Sequence, residues 1–298
     1  MSVAGVRTAR VQAQAKINLF LRIVSREENG YHQLETLFQR IALADSVTVH
    51  VGGMGRTLDV RGDDCGPVEK NLAWRAAIAY TDAAVSPANF AIEIEKRIPV
   101  GGGLGGGSAD AAAVLRALNS LAAKPLDEKT LASIAFSLGA DVPYLLSTHA
   151  IAFGGGRGEK LFGLGALPPH DLLLAIPPFG VSSADAFGWF DAQKSVGHSG
   201  TRATLPLGRK LEWRAIAALA VNDLEDVVAA HHPEIATLRD TLKSRGAMIA
   251  QMSGSGSAAF GVFETGKISG AAAAIEKLGA RAIQSSTTET VSAVEQLG

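Results

Sequence analysis

The sequence predicts an α+β protein in two domains, residues 1–165 and 166–298, and three observations carry that expectation. Strand-like runs open the chain and helical patterns follow them. Composition shifts near Pro168-Pro169. Beyond that point the elements read β, α, β, β, α, β, the ferredoxin-like split βαβ succession, a scaffold that by itself names no function. With 298 residues and 47% hydrophobic content, the chain is long enough for two ordinary cores.

In order along the chain, strands are expected at Val11 to Val24, Leu34 to Leu43, Ser46 to Val51 and Thr57 to Val60. Turn signals at Glu28-Asn29-Gly30, Gly52-Gly53 and Gly62-Asp63-Asp64 separate them. Glu69 to Ala84 reads as a helix because Leu72, Ala76, Ala79 and Tyr80 share a face. Phe90, Ile92 and Ile94 alternate with Ala91, Glu93 and Glu95, which describes a strand with one wet face. A glycine loop and its helix come next, then a helix from Asp127 to Leu138, a strand at Ala150 to Phe153 and the loop Gly154-Gly155-Gly156-Arg157-Gly158. The second half gives strands at Asp171 to Ile176, Met248 to Met252, Ala258 to Phe263 and Arg281 to Ser286. Its helices fall at 183–191, 211–245 and Lys267 to Leu278, and Ser195 to Thr204 reads as a polar surface loop.

The densest chemical signal is Pro99-Val100-Gly101-Gly102-Gly103-Leu104-Gly105-Gly106-Gly107-Ser108, six glycines in seven positions running into an alanine-rich helix. Glycines permit φ > 0 and close backbone approach, while the N–H groups and dipole of the following helix attract phosphate. Ser108 is placed as the helix cap and Asp110 in its first turn, with Val114, Leu115, Leu118 and Leu121 at helical spacing. A flexible linker would not abut a capped helix inside patterned sequence. The P-loop signature needs Lys followed by Ser or Thr after its last glycine, and Ser108-Ala109 stand there instead. Gly101, Gly103 and Gly106 fit G-x-G-x-x-G by letter, but the strand before them is half wet and Pro99 separates it from the loop. The loop is therefore a third kind of anion cradle, and the motif alone does not select a nucleotide.

A net charge of −1 and a pI near 6.7 leave no basic field for nucleic acid, so a small-molecule partner is expected. The single cysteine, Cys65, excludes an internal disulfide and a Cys-based zinc site and fits a reducing cytoplasm. No apolar run reaches the ~18 residues of a membrane span, and the first apolar stretch is interrupted by Lys16, Asn18 and Arg22. No Asp/Glu/His cluster has metal-ligand spacing, so no dedicated metal site is expected. Two residues stand out. Lys16 interrupts an apolar strand pattern, a placement that costs free energy without a partner. Asp141, between Gly139-Ala140 and Pro143, sits where a loop enters a helix.

Three segments together resemble the GHMP small-molecule kinases: Ala15-Lys16-Ile17-Asn18-Leu19-Phe20-Leu21, the glycine loop, and Met252-Ser253-Gly254-Ser255-Gly256-Ser257-Ala258-Ala259-Phe260. Gly30-Tyr31-His32 and Leu138-Gly139-Ala140-Asp141-Val142-Pro143 resemble the branch that phosphorylates the 2-hydroxyl of a CDP-linked methylerythritol in the non-mevalonate isoprenoid pathway. Homoserine and mevalonate kinases share the three motifs and have no need of Tyr31-His32. A nonenzymatic nucleotide-binding protein on the same fold is opposed by the joint presence of Lys16 and Asp141.

The resemblance implies a ribosomal-protein-S5-like ATP-binding domain followed by a ferredoxin-like domain, with ATP bringing its own Mg²⁺. It implies a cytoplasmic enzyme, monomeric or weakly dimeric, without nucleic-acid or membrane partners. It makes Lys16 and Asp141 catalytic, with Asp141 taking or orienting the acceptor proton and Lys16 beside it. Lys96, Pro99, Gly101, Gly102, Gly103, Leu104, Gly105, Gly106, Gly107 and Ser108 are the nucleotide-binding candidates. Asn18, Tyr31, His32, Asp141, Ser253, Gly254, Ser255 and Gly256 are the substrate-binding ones. Tyr31 and His32 offer a π-face and polar edge for cytosine. Many family members carry two hydroxyl residues after the glycines, whereas Ala109 follows Ser108 here.

Overall fold

The computed structural model describes residues 5–84, 89–193 and 211–297, so the polar loop expected at 195–204 lies outside the described residues. The first half contains β1 (Arg7–Arg26), β2 (His32–Val51), β3 (Arg56–Arg61), α1 (Leu72–Ala83), β4 (Phe90–Glu95) and α2 (Gly106–Leu121). It continues through α3 (Glu128–Leu138), α4 (Val142–Leu146), β5 (Ile151–Gly155) and β6 (Lys160–Gly163). The second half contains β7 (Asp171–Ile176), α5 (Ser183–Ala192), α6 (Trp213–Ala217), α7 (Glu225–His231) and α8 (Pro233–Ser244). β8 (Ile249–Met252), β9 (Ala259–Phe263), α9 (Ala271–Glu276), β10 (Arg281–Ser286) and β11 (Val294–Leu297) complete it.

The first sheet runs β11-β1-β2-β4-β3, and β2 also pairs with β5, which pairs with β6. Its twenty-residue β2 serves two neighbours in turn. Thr36 to Gln39 pair with β5, and Ser46 to Val51 pair with β4. Between those stretches the β1–β2 register jumps, from Gln14↔Ala44 to Lys16↔Arg40. The two strands expected on either side of residue 45 are therefore one strand bent at an irregularity, of the kind that re-aims side chains beside active sites. Val47, Val49 and Val51 point inward at period two, and Ile92 and Ile94 do so on β4. Against that face lie α1 and α2, whose Ala73, Ala76, Ala77 and Ala111 to Ala113 are all buried. Small side chains let the two helices sink deep into the core, so α2 is buried on every side from Ala109 to Leu115.

The second sheet runs β10-β7-β9-β8, fully antiparallel, the arrangement the ferredoxin-like reading requires. Leu172, Leu174, Phe260 and Val262 pack into the same cluster as Ile17, Leu19 and Phe38, so one core joins the two sheets. β11 leaves the second half and pairs antiparallel with Thr8 to Val11.

Local differences from the sequence pattern have physical causes. The helix expected over 211–245 is three helices: residues 221–223 run beside Leu21, and Pro233 starts α8 where its missing N–H costs nothing. The helix expected over 267–278 begins only at Ala271, behind a left-handed Gly270. β6, β11 and the five-residue α4 are too short to show a period. The helix after the glycine loop begins at Gly106, because Gly105 at φ +72 turns the chain before Ser108 is reached. Ser108 therefore lies inside the first turn and makes no cap, and Asp110 falls beyond that turn.

Candidate active site

The glycine loop lies between the two sheets and is pinned from both. Ser257 N donates to Gly101 O at 3.2 Å and Ala258 N to Gly102 O at 3.2 Å. From β1, Lys16 N donates to Leu104 O at 3.0 Å. Gly103 adopts φ +70, and a Cβ there would stand 2.1 Å from Ser253 O, so only glycine passes. The N–H groups of Gly106, Gly107 and Ser108 lie ahead of the first helical bond, Ala109 N to Gly105 O at 2.8 Å. They stand at the positive end of a sixteen-residue helix, a ready cradle for phosphate. A cavity of about 220 Å³ lies over this loop, lined by Pro99, Gly101 to Gly107, Asn71 and Cys65. A cavity of about 270 Å³ lies on the wet sheet face, where Arg10, Arg61 and Arg97 alternate with Glu93 and Glu95.

Lys16, only 3% exposed, has its partners. Its ammonium donates to Asn18 Oδ1 at 2.8 Å and Gly103 O at 2.8 Å, and stands 3.3 Å from Asp141 Oδ2. Two glycines make room for it: Gly105 lies against its stem, and a Cβ on Gly254 would be 3.1 Å from Nζ. Asn18, also buried, donates from Nδ2 to Thr36 Oγ1, whose hydroxyl donates to Phe20 O. The expected substrate contact at Asn18 is thus an amide already committed to Lys16 and Thr36, two residues along the same strand face. Asp141 is different. Its side chain is 31% exposed and makes no cap bond to α4, which leaves carboxylate valence open to solvent.

Arg40 fixes the far end of the helix that Asp141 begins. It is 2% exposed and donates to the carbonyls of Tyr144, Leu145, Ser147 and His149 at 2.9 to 3.0 Å. Three of those carbonyls belong to α4's last turn and its C-cap, and His149 follows just beyond. Burial lowers the Arg40 guanidinium to about 10, still charged at neutral pH. No sequence signal distinguished this arginine from its neighbours.

Lys96 is held beneath the loop, with its side chain 2% exposed. Its ammonium donates to Asp45 and, at 2.7 Å, to Asp110. Asp45 Oδ1 also accepts from Arg97 N at 2.5 Å and Ile98 N at 2.9 Å, which anchors the strand-to-loop junction. Burial alone would lower Lys96, but Asp110 and Asp45 more than reverse it. Burial pushes Asp110 up to about 7, with Asp45 adding to the rise and Lys96 opposing it. Two carboxylates share one ammonium, and this crowding of negative charge favours the protonated form of Asp110. Lys96, expected near adenine, is engaged in this internal triad and also lines the cavity over the loop.

At the β1–β2 hairpin, Tyr31 is 58% exposed and the Arg157 guanidinium lies 4.0 Å from its ring centroid. His32 is buried, shares a 2.8 Å hydrogen bond with Asp191 Oδ1 and stacks on Phe187 at 4.8 Å. Asp191 and Phe187 belong to α5, so the second half completes this aromatic corner, and nothing in their spacing announced it. In the last glycine turn, Ser253 Oγ donates to Gly103 O at 3.0 Å, Gly256 N donates to Ser253 O, and Ser255 Oγ meets Ser183 Oγ at 2.9 Å. Ser253 thus braces the glycine loop.

Residues 71–155 match the family model described as GHMP kinases N terminal domain, and residues 208–281 match GHMP kinases C terminal. A 4-diphosphocytidyl-2-C-methyl-D-erythritol kinase of Desulfitobacterium hafniense (strain Y51) is 42% identical over 257 residues, which is 85% of this chain and 86% of the relative. One from Anaeromyxobacter sp. (strain K) is 41% identical over 295 residues, 94% of this chain and 90% of the relative. A crystal structure of 4-(cytidine 5'-diphospho)-2C-methyl-D-erythritol kinase superposes with a TM-score of 0.75 at 36% identity, covering 93% of this chain and 98% of that one. A homoserine kinase from Cytophaga hutchinsonii shares the fold, with a TM-score of 0.73 at 16% identity over 100% and 99% of the two chains. With its glycine loop, its Lys16–Asp141 pair and this degree of likeness, the chain belongs to the GHMP kinases, in the 4-diphosphocytidyl-2-C-methyl-D-erythritol kinase family.

Proposed function

We propose that the chain transfers the γ-phosphoryl group of ATP to the 2-hydroxyl of 4-diphosphocytidyl-2-C-methyl-D-erythritol, with Lys16 and Asp141 as its catalytic pair. The observation that carries this reading is their 3.3 Å ion pair, sealed at the lysine and open at the carboxylate, beside a phosphate cradle. Asp141 takes the acceptor proton as the hydroxyl oxygen bonds to phosphorus, and the bond to the β-phosphate oxygen breaks to leave ADP. Lys16, held by Asn18 and Gly103, meets the negative charge that develops on the transferred group.

ATP supplies the phosphoryl group, and the N–H groups of Gly106, Gly107 and Ser108 fit its phosphates. Mg²⁺ arrives with it, bound to its phosphates. Tyr31, His32 and Phe187 supply the rings and polar edge that suit a cytosine. We place the division between the two domains near residue 165 and read the protein as a cytoplasmic monomer or weak homodimer. No described helix is long and apolar enough to cross a membrane.

The test is ADP release from MgATP with the cytidylyl substrate, homoserine or mevalonate as acceptor. Turnover with the first alone, lost in Asp141→Asn, supports the reading; turnover with another acceptor moves the chain to a different GHMP activity.

A further inference from the structure

We infer that Asn222, on the segment between α6 and α7, is a positioning residue for the catalytic lysine, an inference that rests on the role given to Lys16 above. Residues 221–223 run alongside β1 just past Asn18. Leu21 N donates to Val221 O at 2.8 Å, Asp223 N to Leu21 O at 3.0 Å, and Ile23 N to Asp223 Oδ2 at 2.8 Å. From that rail the buried Asn222 amide reaches across to the last glycine turn. Its Nδ2 donates to Met252 O at 2.9 Å and to Gly254 O at 2.8 Å, while Oδ1 accepts from Leu224 N at 3.0 Å. Every polar atom of the side chain is used, and it is 6% exposed.

The turn it holds touches Lys16 by two routes. Gly254 packs directly on the ammonium, 3.1 Å from Nζ to where a Cβ would stand. Next to it, Ser253 Oγ donates to Gly103 O, the same carbonyl that accepts from Lys16 Nζ at 2.8 Å. Glu225 secures the strand end beside it, accepting from Met252 N at 2.6 Å and pairing with Arg239. Asn222 therefore closes a loop of contacts that starts on β1, crosses the second half and returns to the lysine on β1. A shift of the turn would displace Nζ from Asp141.

The experiment is a double-mutant cycle with MgATP and 4-diphosphocytidyl-2-C-methyl-D-erythritol, measuring kcat and both KM values for the wild-type chain, Asn222→Asp, Lys16→Met and the double variant. Asn222→Asp keeps the acceptor for Leu224 N but turns a donor into an acceptor facing two carbonyls. It is expected to lower kcat on the order of 30-fold or more with both KM values within about threefold. In the Lys16→Met background the same change is expected to cost less than about threefold, because the group it positions is gone. An equal loss in both backgrounds, or a loss confined to KM, would overturn the inference and leave Asn222 a structural residue. Lys16→Met with unchanged kcat would instead sink the role of Lys16 itself, a separate result from additivity. Should Asn222→Asp not fold, Asn222→Ala, which removes the donor without adding charge, is judged in the same cycle by the same criteria.

Discussion

Two buried lysines flank the glycine loop, each beside carboxylates, and the difference between them separates chemistry from architecture. Lys96 is sealed: its partners Asp45 and Asp110 are 0% and 3% exposed at the side chain, and both oxygens of Asp45 and one of Asp110 are bonded within the protein. Lys16 is as deeply placed, but its carboxylate partner is 31% exposed and stands at a looser 3.3 Å. A closed triad holds the loop in shape. A pair with one open end can receive a hydroxyl and pass on a proton. Burial of a charge is thus no sign of catalysis; a buried charge whose partner stays open to solvent is.

The largest effect expected is at the open end. Asp141→Asn should lower kcat by about 10³-fold while the thermal midpoint stays within about 2 °C; a large drop in melting temperature would make Asp141 a structural residue like Asp45. The sealed triad should respond in the opposite sense. Lys96→Met strands two buried carboxylates and is expected to cost about 3–5 kcal/mol of stability by urea or thermal unfolding, with most of the specific activity retained by the molecules that remain folded. If activity vanished while stability held, the contrast between the two lysines would be wrong.

A third change touches neither cluster. Tyr31→Ala removes an exposed ring and is expected to raise KM for the cytidylyl substrate about tenfold, roughly the 1 kcal/mol of an aromatic stack, with kcat and KM for ATP unchanged. The smallest effect concerns the proton on Asp110. Its native value near 7 lies above the ordinary carboxylate value of about 4. The folded chain therefore binds more protons than the unfolded one across that interval, and stability from this group is complete below about 4 and lost as pH rises through 7. Relative to Asp110→Asn, the wild-type thermal midpoint should fall by about 2–5 °C between pH 6 and pH 8.5. Parallel curves for the two proteins would place no proton on Asp110.

Much of the site was legible because its demands are local. The glycine loop had to be glycine at Gly103, where a side chain meets a backbone oxygen, and a lysine inside an apolar strand had to find a partner. Asn18 was readable as sharing the Lys16 face, since alternate strand residues point the same way. What that face meets was not readable: Thr36 and Gly254 arrive from eighteen and more than two hundred residues away. The helix start was misjudged at Ser108 because a polar cap residue and a left-handed glycine are competing ways to begin a helix, and Gly105 turned the chain first.

The sequence by itself determined the elements and the chemistry they carry. Alternating apolar residues made the strands, alanines and leucines at helical spacing made α1 and α2, and glycines with a following helix made an anion cradle. These follow from short-range sterics and solvation, which a few neighbouring residues fix. Only the tertiary structure decided that Lys16 faces Asp141, that Lys96 is shut between Asp45 and Asp110, and that α5 completes the corner around His32. It also placed Arg40 behind α4 and Asn222 behind the last glycine turn. Those pairings join residues far apart in the chain, and they are set by how one shared core brings the two sheets together, a condition that no local pattern encodes.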